Sequence, residues 1–194
     1  PLISRPKNGE VSAVEIIESE RVRSACLVFD ESGAQIARYD KIHLFDVIVN
    51  DEQSEYSESR SYEPGVDIVS VDTSVGNLGL SICYDMRFPE LYRALFQRGA
   101  ELVTVPAAFT KVTGEAHWES LLRARAIENQ CYVIAAGQGG RHSQTRETWG
   151  HSMIIDPWGT VLAMVEEGEG VATAEINLEF VRNVRARMPI REQQ

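Results

Sequence analysis

The chain has 194 residues, 43% of them hydrophobic and 25% charged, proportions of an ordinary globular domain large enough to bury a core, which excludes a disordered chain. A formal net charge of -10 argues against nucleic-acid binding, which needs a basic face. No apolar run reaches the roughly 18 residues of a membrane span and no charged-then-apolar leader occurs. The three cysteines, Cys26, Cys83 and Cys131, are an odd set without metal spacing that suits a reducing cytosol better than a disulfide framework.

In chain order, Pro1 to Arg23 is polar, with Val11, Val14, Ile16 and Ile17 to bury. Ser24 to Phe29 reads as a strand, Asp30 to Gly33 as a turn, and Gln35 to His43 as the returning strand of a hairpin. Asn50 to Glu63 is acidic and reads as a solvated loop ending at Pro64-Gly65. Asp67 to Val71 and Leu78 to Cys83 are two further strands, and Pro89 suits the first turn of a helix through Leu91, Ala94 and Leu95 that Gly99 closes. Glu101 to Pro106 is a buried strand, and Glu115 to Gln130 is a helix with Trp118, Leu121, Leu122 and Ala126 on one face. Cys131 to Ala136 is another strand, and Gly137 to His142 a loop whose glycines lack phosphate-binding spacing. Gly150 to Ile155 is a strand and Asp156 to Gly159 a turn, followed by an antiparallel pair at Thr160 to Val165 and Val171 to Ile176. Leu178 to Met188 closes as a helix with Arg182, Arg185 and Arg187, an arm for a partner subunit. This order implies a single α/β (or α+β) domain with a mixed sheet, without internal repeat or linker.

Cys83 is where chemistry concentrates. It stands between a strand and a helix, on a sharp turn that lifts its sulfur toward the positive helix end and favours the thiolate. A lone cysteine is as a rule a small buried hydrophobe, and a lone lysine such as Lys41 a solvated edge residue. Phe109 and Thr110, at the C-terminal end of a strand, are pocket candidates or plain loop. His151 reads as a satisfied structural histidine.

Cys83-Tyr84-Asp85-Met86-Arg87-Phe88-Pro89-Glu90, with Asp40-Lys41-Ile42-His43-Leu44-Phe45-Asp46 upstream and His117-Trp118-Glu119 downstream, resembles the nitrilase superfamily of carbon-nitrogen hydrolases. Within it the chain looks most like the amidase branch that includes omega-amidase and deaminated-glutathione amidase. The likeness runs from about Cys26 to about Pro189 in the family's order and spacing. It implies an α-β-β-α sandwich, paired in a homodimer or higher homo-oligomer, and amide hydrolysis through a thioester. Cys83 would be the nucleophile, Lys41 the donor to the oxyanion, and Glu58, in Tyr56-Ser57-Glu58-Ser59-Arg60, the carboxylate that positions Lys41. Glu55 is the alternative for that last role. Backbone N–H groups from Tyr84 would complete the oxyanion hole, Arg87 would pair with a buried carboxylate, and Glu119 would anchor nearby loops. Phe109, Thr110 and Trp118 would contact substrate, and His43 would be structural support.

The family's general base is a glutamate well upstream of the lysine, on a segment without counterpart here. Glu10, Glu15, Glu18 and Glu20 match no family motif, and the expectation is a chain lacking the first strands and helices of its domain. The resemblance requires no metal or organic cofactor, and it implies a small carboxylate-bearing amide as substrate and a cytoplasmic setting. A nitrilase, an N-carbamoyl amino acid hydrolase or a catalytically incomplete binding relative are the other readings.

Overall fold

The computed structural model describes residues 2–4 and 21–193. The polar stretch carrying Val11, Val14, Ile16 and Ile17, and with it Glu10, Glu15, Glu18 and Glu20, lies outside them. Strand β1 (Leu2–Ser4) pairs antiparallel with β2 (Arg23–Phe29), which turns back into β3 (Gln35–Asp40). Asp30 makes that turn, its Oδ1 accepting from the N–H groups of Ser32 (2.9 Å) and Ala34 (3.0 Å). The returning strand stops at Asp40 rather than His43. Beyond Asp40, the Lys41 carbonyl is taken by the Gly65 N–H (2.8 Å), and His43 turns toward Asp85.

The acidic stretch is not a bare solvated loop. It folds into a hairpin, β4 (Asp46–Ile48) with β5 (Glu55–Ser57), followed by a 3-10 turn at Glu58–Arg60. Its own carboxylates organise it: Asp51 Oδ1 accepts from Ser54 N–H (2.8 Å), and Asp46 Oδ1 from Ser59 N–H (3.0 Å).

The second sheet has six strands. β6 (Ser70–Thr73) and β7 (Gly76–Leu80) form a hairpin at one edge, and β8 (Leu102–Thr104) and β9 (Tyr132–Ala135) continue parallel to β7. Between these parallel strands run the crossover helices α1 (Pro89–Gln97) and α2 (Lys111–Asn129). A ribbon of β10 (Gly139–Arg141) and β11 (Glu147–Trp149) follows β9 where a loop was expected. The sheet is completed antiparallel by β12 (Ser152–Ile155) and β13 (Val161–Val165), giving the order β13-β12-β9-β8-β7-β6.

Register explains the layers. Gly79, Val103 and Val133 lie side by side across the parallel strands, and a Cβ on Gly79 would stand 3.0 Å from Leu95 of α1, so this row faces the helices. The alternate row, Leu78, Leu102 and Tyr132, meets Val181 of the last helix, α3 (Leu178–Arg187). Cys26 and Val28 of β2 and Tyr39 of β3 join Leu80 in the principal core, which places the three-stranded sheet against the six-stranded one.

One terminal expectation is corrected. Residues 171–176 form no strand, and Val171 is 86% exposed. This segment instead carries the chain from the sheet edge to the α3 layer, where Asn177 N–H donates to the Tyr132 hydroxyl (3.1 Å). Helix α3 lies on its own sheet through Val181 and Val184, with Arg185 donating to the carbonyls of Ala100 (2.5 Å) and Gln130 (3.2 Å).

Candidate active site

The apolar run of β7 passes through Ile82 and ends at Cys83, the first residue of a 3-10 turn, Cys83–Arg87. Helix α1 begins only at Pro89, so the sulfur stands at this turn and not at the helix end that the sequence suggested. Cys83 takes φ 51°, a left-handed conformation that costs a residue with a side chain and that is typical of sites where the surroundings dictate the backbone. Its N–H donates to the Pro106 carbonyl (2.9 Å), tying the nucleophile to the end of β8.

Asp85 holds the turn from below. Its carboxylate is fully buried; Oδ2 accepts from the Tyr39 hydroxyl (2.7 Å) and Ile82 N–H (2.8 Å), and Oδ1 from His43 N–H (3.1 Å). The His43 ring also meets Oδ1 through Nδ1 (2.7 Å) and stacks on Phe88 at 3.6 Å between centroids. Burial and the neighbouring carboxylate push the Tyr39 phenol well above its ordinary range, so it stays a donor. His43 is therefore a strut between β3 and the cysteine turn, directed at Asp85.

Lys41 is pinned at both backbone ends, by Ser24 O (2.9 Å) and by Gly65 N–H. Gly65 must lack a side chain there, since a Cβ would stand 2.1 Å from the Asp40 carbonyl oxygen. The Lys41 side chain is 2% exposed, and its ammonium pairs with Glu58 Oε2. The same oxygen accepts from Phe45 N–H (2.8 Å). Of the two glutamates the sequence left in play, Glu58 holds the lysine, while Glu55 pairs with exposed Arg60 (3.2 Å). Lys41, Glu58 and Cys83 line one pocket of about 390 Å³.

Burial raises the Cys83 thiol above its ordinary value of 9.0, and the Lys41 charge and a hydrogen bond from the Ala108 backbone pull it part of the way back. Enclosure thus outweighs the cation and the backbone donor around the thiol and disfavours the thiolate that the sequence led one to expect. Alkylation of Cys83 by iodoacetamide is expected to accelerate steadily from pH 7 to 9, as the thiolate fraction grows. Lys41→Met removes a lowering influence, shifts that profile to higher pH and slows the reaction at pH 8; equal rates for the two chains would contradict this.

Residues 7–186 match the family model for carbon-nitrogen hydrolase. The chain belongs to the carbon-nitrogen hydrolase family. It is 48% identical over 182 residues to deaminated glutathione amidase of Yersinia enterocolitica, covering 94% of this chain and 64% of the relative. The human deaminated glutathione amidase is 49% identical over 174 residues, covering 89% of this chain and 53% of that protein. The chain thus spans less than two thirds of the length of these relatives. In fold it is similar to the C. elegans NitFhit protein, with a TM-score of 0.85 and 46% identity over 90% of this chain and 42% of that one.

Other site candidates in this carbon-nitrogen hydrolase divide. Tyr84, Phe109 and Thr110 line the pocket with Cys83. Trp118 does not: it is fully buried behind Phe109 (centroids 5.1 Å apart), its Nε1 donating to the His151 carbonyl (2.8 Å). Among the described residues Arg87 meets no carboxylate; its guanidinium lies 5.1 Å from the Phe109 ring centroid and 6.0 Å from that of Tyr84. Glu119 is exposed and pairs with Arg123 (3.3 Å) on its own helix, because turning Trp118 inward rotates the next position outward. Asp85, Tyr39 and Arg146 were missed. Asp85 could have been suspected from its place two residues after the cysteine, whereas nothing local marks Arg146. Among the described residues no cluster of three His, Cys, Asp or Glu side chains could hold a metal ion, and no helix is long and apolar enough to cross a membrane.

Proposed function

We propose that this chain carries the nucleophile and oxyanion machinery of an amidase that releases ammonia from a small carboxylate-bearing amide. The supporting observation is the convergence of the Cys83 sulfur and the buried Lys41 ammonium, held by Glu58, on one pocket. In this reading the thiolate attacks the amide carbon, and the carbonyl oxygen becomes an oxyanion stabilised by Lys41 and the Tyr84 N–H. Collapse expels the amine, protonated, as ammonia and leaves a thioester, which water hydrolyses to the carboxylic acid and free thiol. Glu58 is committed to Lys41 and to the Phe45 N–H, so it keeps the ammonium aimed. The resemblance assigns proton removal from the thiol to a glutamate N-terminal to Lys41. The relatives' name makes deaminated glutathione the first substrate to try, with α-ketoglutaramate beside it. Pairing of two copies and a cytoplasmic setting belong to the same proposal.

Hydroxylamine tests the thioester. Turnover of deaminated glutathione, α-ketoglutaramate or an N-carbamoyl amino acid in its presence is expected to give the hydroxamate of one of the two amides at the expense of the free acid. Acid alone would argue for direct attack by water, and a product from the carbamoyl compound alone would replace the amidase reading with carbamoyl hydrolysis. No turnover of any of the three would leave a binding relative.

A further inference from the structure

The charge inventory of the pocket points to its specificity. Lys41 and Glu58 cancel one another, and among the described residues one further charged residue lines the same cavity, Arg146 from the connection between β10 and β11. Its backbone is fixed: the N–H donates to Ser143 Oγ (3.0 Å), and the carbonyl accepts from the N–H groups of His142 (2.9 Å) and Ser143 (3.3 Å). Its guanidinium forms no ion pair among the described residues. Acids are close at hand, because Arg146 also borders a second cavity of about 220 Å³ with Asp51, Glu52 and Glu147. Each of these is already engaged: Glu52 with Arg141 (3.4 Å), Glu147 with Lys111 (2.6 Å), and Asp51 with the Tyr56 hydroxyl (2.8 Å) and the N–H groups of Gln53 (3.1 Å) and Ser54 (2.8 Å). These pairs fasten the ribbon to the rim and leave one cation over. The Arg146 charge acts on Tyr56, a residue of the pocket wall: burial and Asp51 raise that phenol to about 12, and Arg146 opposes the rise.

We infer that Arg146 recognises the carboxylate of the substrate, holding it at the ribbon side of the pocket while the amide end lies at Cys83. This rests on the amidase reading above and deepens it by naming the group that selects an anionic amide over a neutral one. A guanidinium is suited to the task because its planar fork donates two parallel hydrogen bonds to one carboxylate. Loss of such a charge-assisted contact weakens binding by roughly 10- to 100-fold.

The experiment compares glutaramate, which carries a carboxylate and an amide, with glutaramide, its neutral diamide, by NMR titration of the Cys83→Ala chain, in which neither is consumed. A preference of at least about tenfold for glutaramate is expected, erased by Arg146→Met, partly kept by Arg146→Lys and fully kept by Arg141→Met. Equal binding of the two ligands before any change at Arg146, or a preference that survives Arg146→Met, overturns the inference. Because the titration needs no turnover, absence of amidase activity in the Cys83 chain would sink the proposed function and leave this comparison readable. In an active chain, Arg146→Met should raise KM for the anionic amide far more than it lowers kcat.

Discussion

If the proposed amidase function holds, ammonia release from deaminated glutathione is expected to fall to the uncatalysed background when Cys83 is replaced by Ala or Ser, a loss of at least about 10⁴-fold, because the covalent nucleophile is removed. Serine should fail with alanine because a hydroxyl is far less acidic than a thiol and is the weaker nucleophile. Burial already disfavours ionisation of the more acidic thiol against the pull of Lys41 and the Ala108 backbone. The loss should be chemical and not structural, since the turn keeps its Pro106 bond whatever side chain stands there. The φ of 51° adds an internal control. Cys83→Gly relieves the left-handed strain and should be more stable than Cys83→Ala by about 1 kcal/mol while equally inactive. Thermal melts beside an ammonia assay read both. Residual release above background in Cys83→Ala would remove Cys83 from the chemistry.

The largest effect on stability should come from Asp85. Asp85→Ala is expected to cost about 3 to 5 kcal/mol, the range for removing one partner from a buried charged network. It strands the buried Tyr39 hydroxyl and Ile82 N–H and the part-buried His43 N–H at once. Asp85→Asn should lose less, because its amide oxygen still accepts from one side while its NH2 group opposes donors on the other. Urea unfolding measures both, and an Asp85→Ala chain within about 1 kcal/mol of the parent would show that the network is not what holds the turn. Function should fall with stability, for a mechanical reason: Asp85 joins the His43 end of the Lys41 segment to the Cys83 turn. Iodoacetamide labelling of Cys83 at fixed pH should accordingly change in Asp85→Asn even under conditions where that variant is fully folded.

Asp85 also shows where reading along the chain falls short. The cysteine, the lysine and Glu58 carry local signals: a strand end, a motif and a spacing. Asp85 is adjacent to all of this, yet its importance lies in Tyr39 and His43, which are 46 and 42 positions away. Trp118 and Glu119 failed in the opposite sense. A motif made both conspicuous, and helix geometry then sent one into the core and the other to solvent.

What the sequence by itself determined is the local register of this protein. Apolar runs and the turns between them set the strands β7, β8, β9, β12 and β13, Pro89 opened α1, and the residues around Cys83 and Lys41 declared a carbon-nitrogen hydrolase. Tertiary structure alone decided which charges meet. Burial opposes ionisation of Cys83 more than its neighbours favour it, Trp118 turns into the core behind Phe109, residues 171–176 leave the sheet to reach α3, and Arg146 arrives at the pocket from a ribbon that reads as a glycine-rich loop. The reason is common to all four. Periodicity and turn chemistry act over a few residues, whereas desolvation and pairing depend on groups that only the packing of two sheets and their crossover helices brings together.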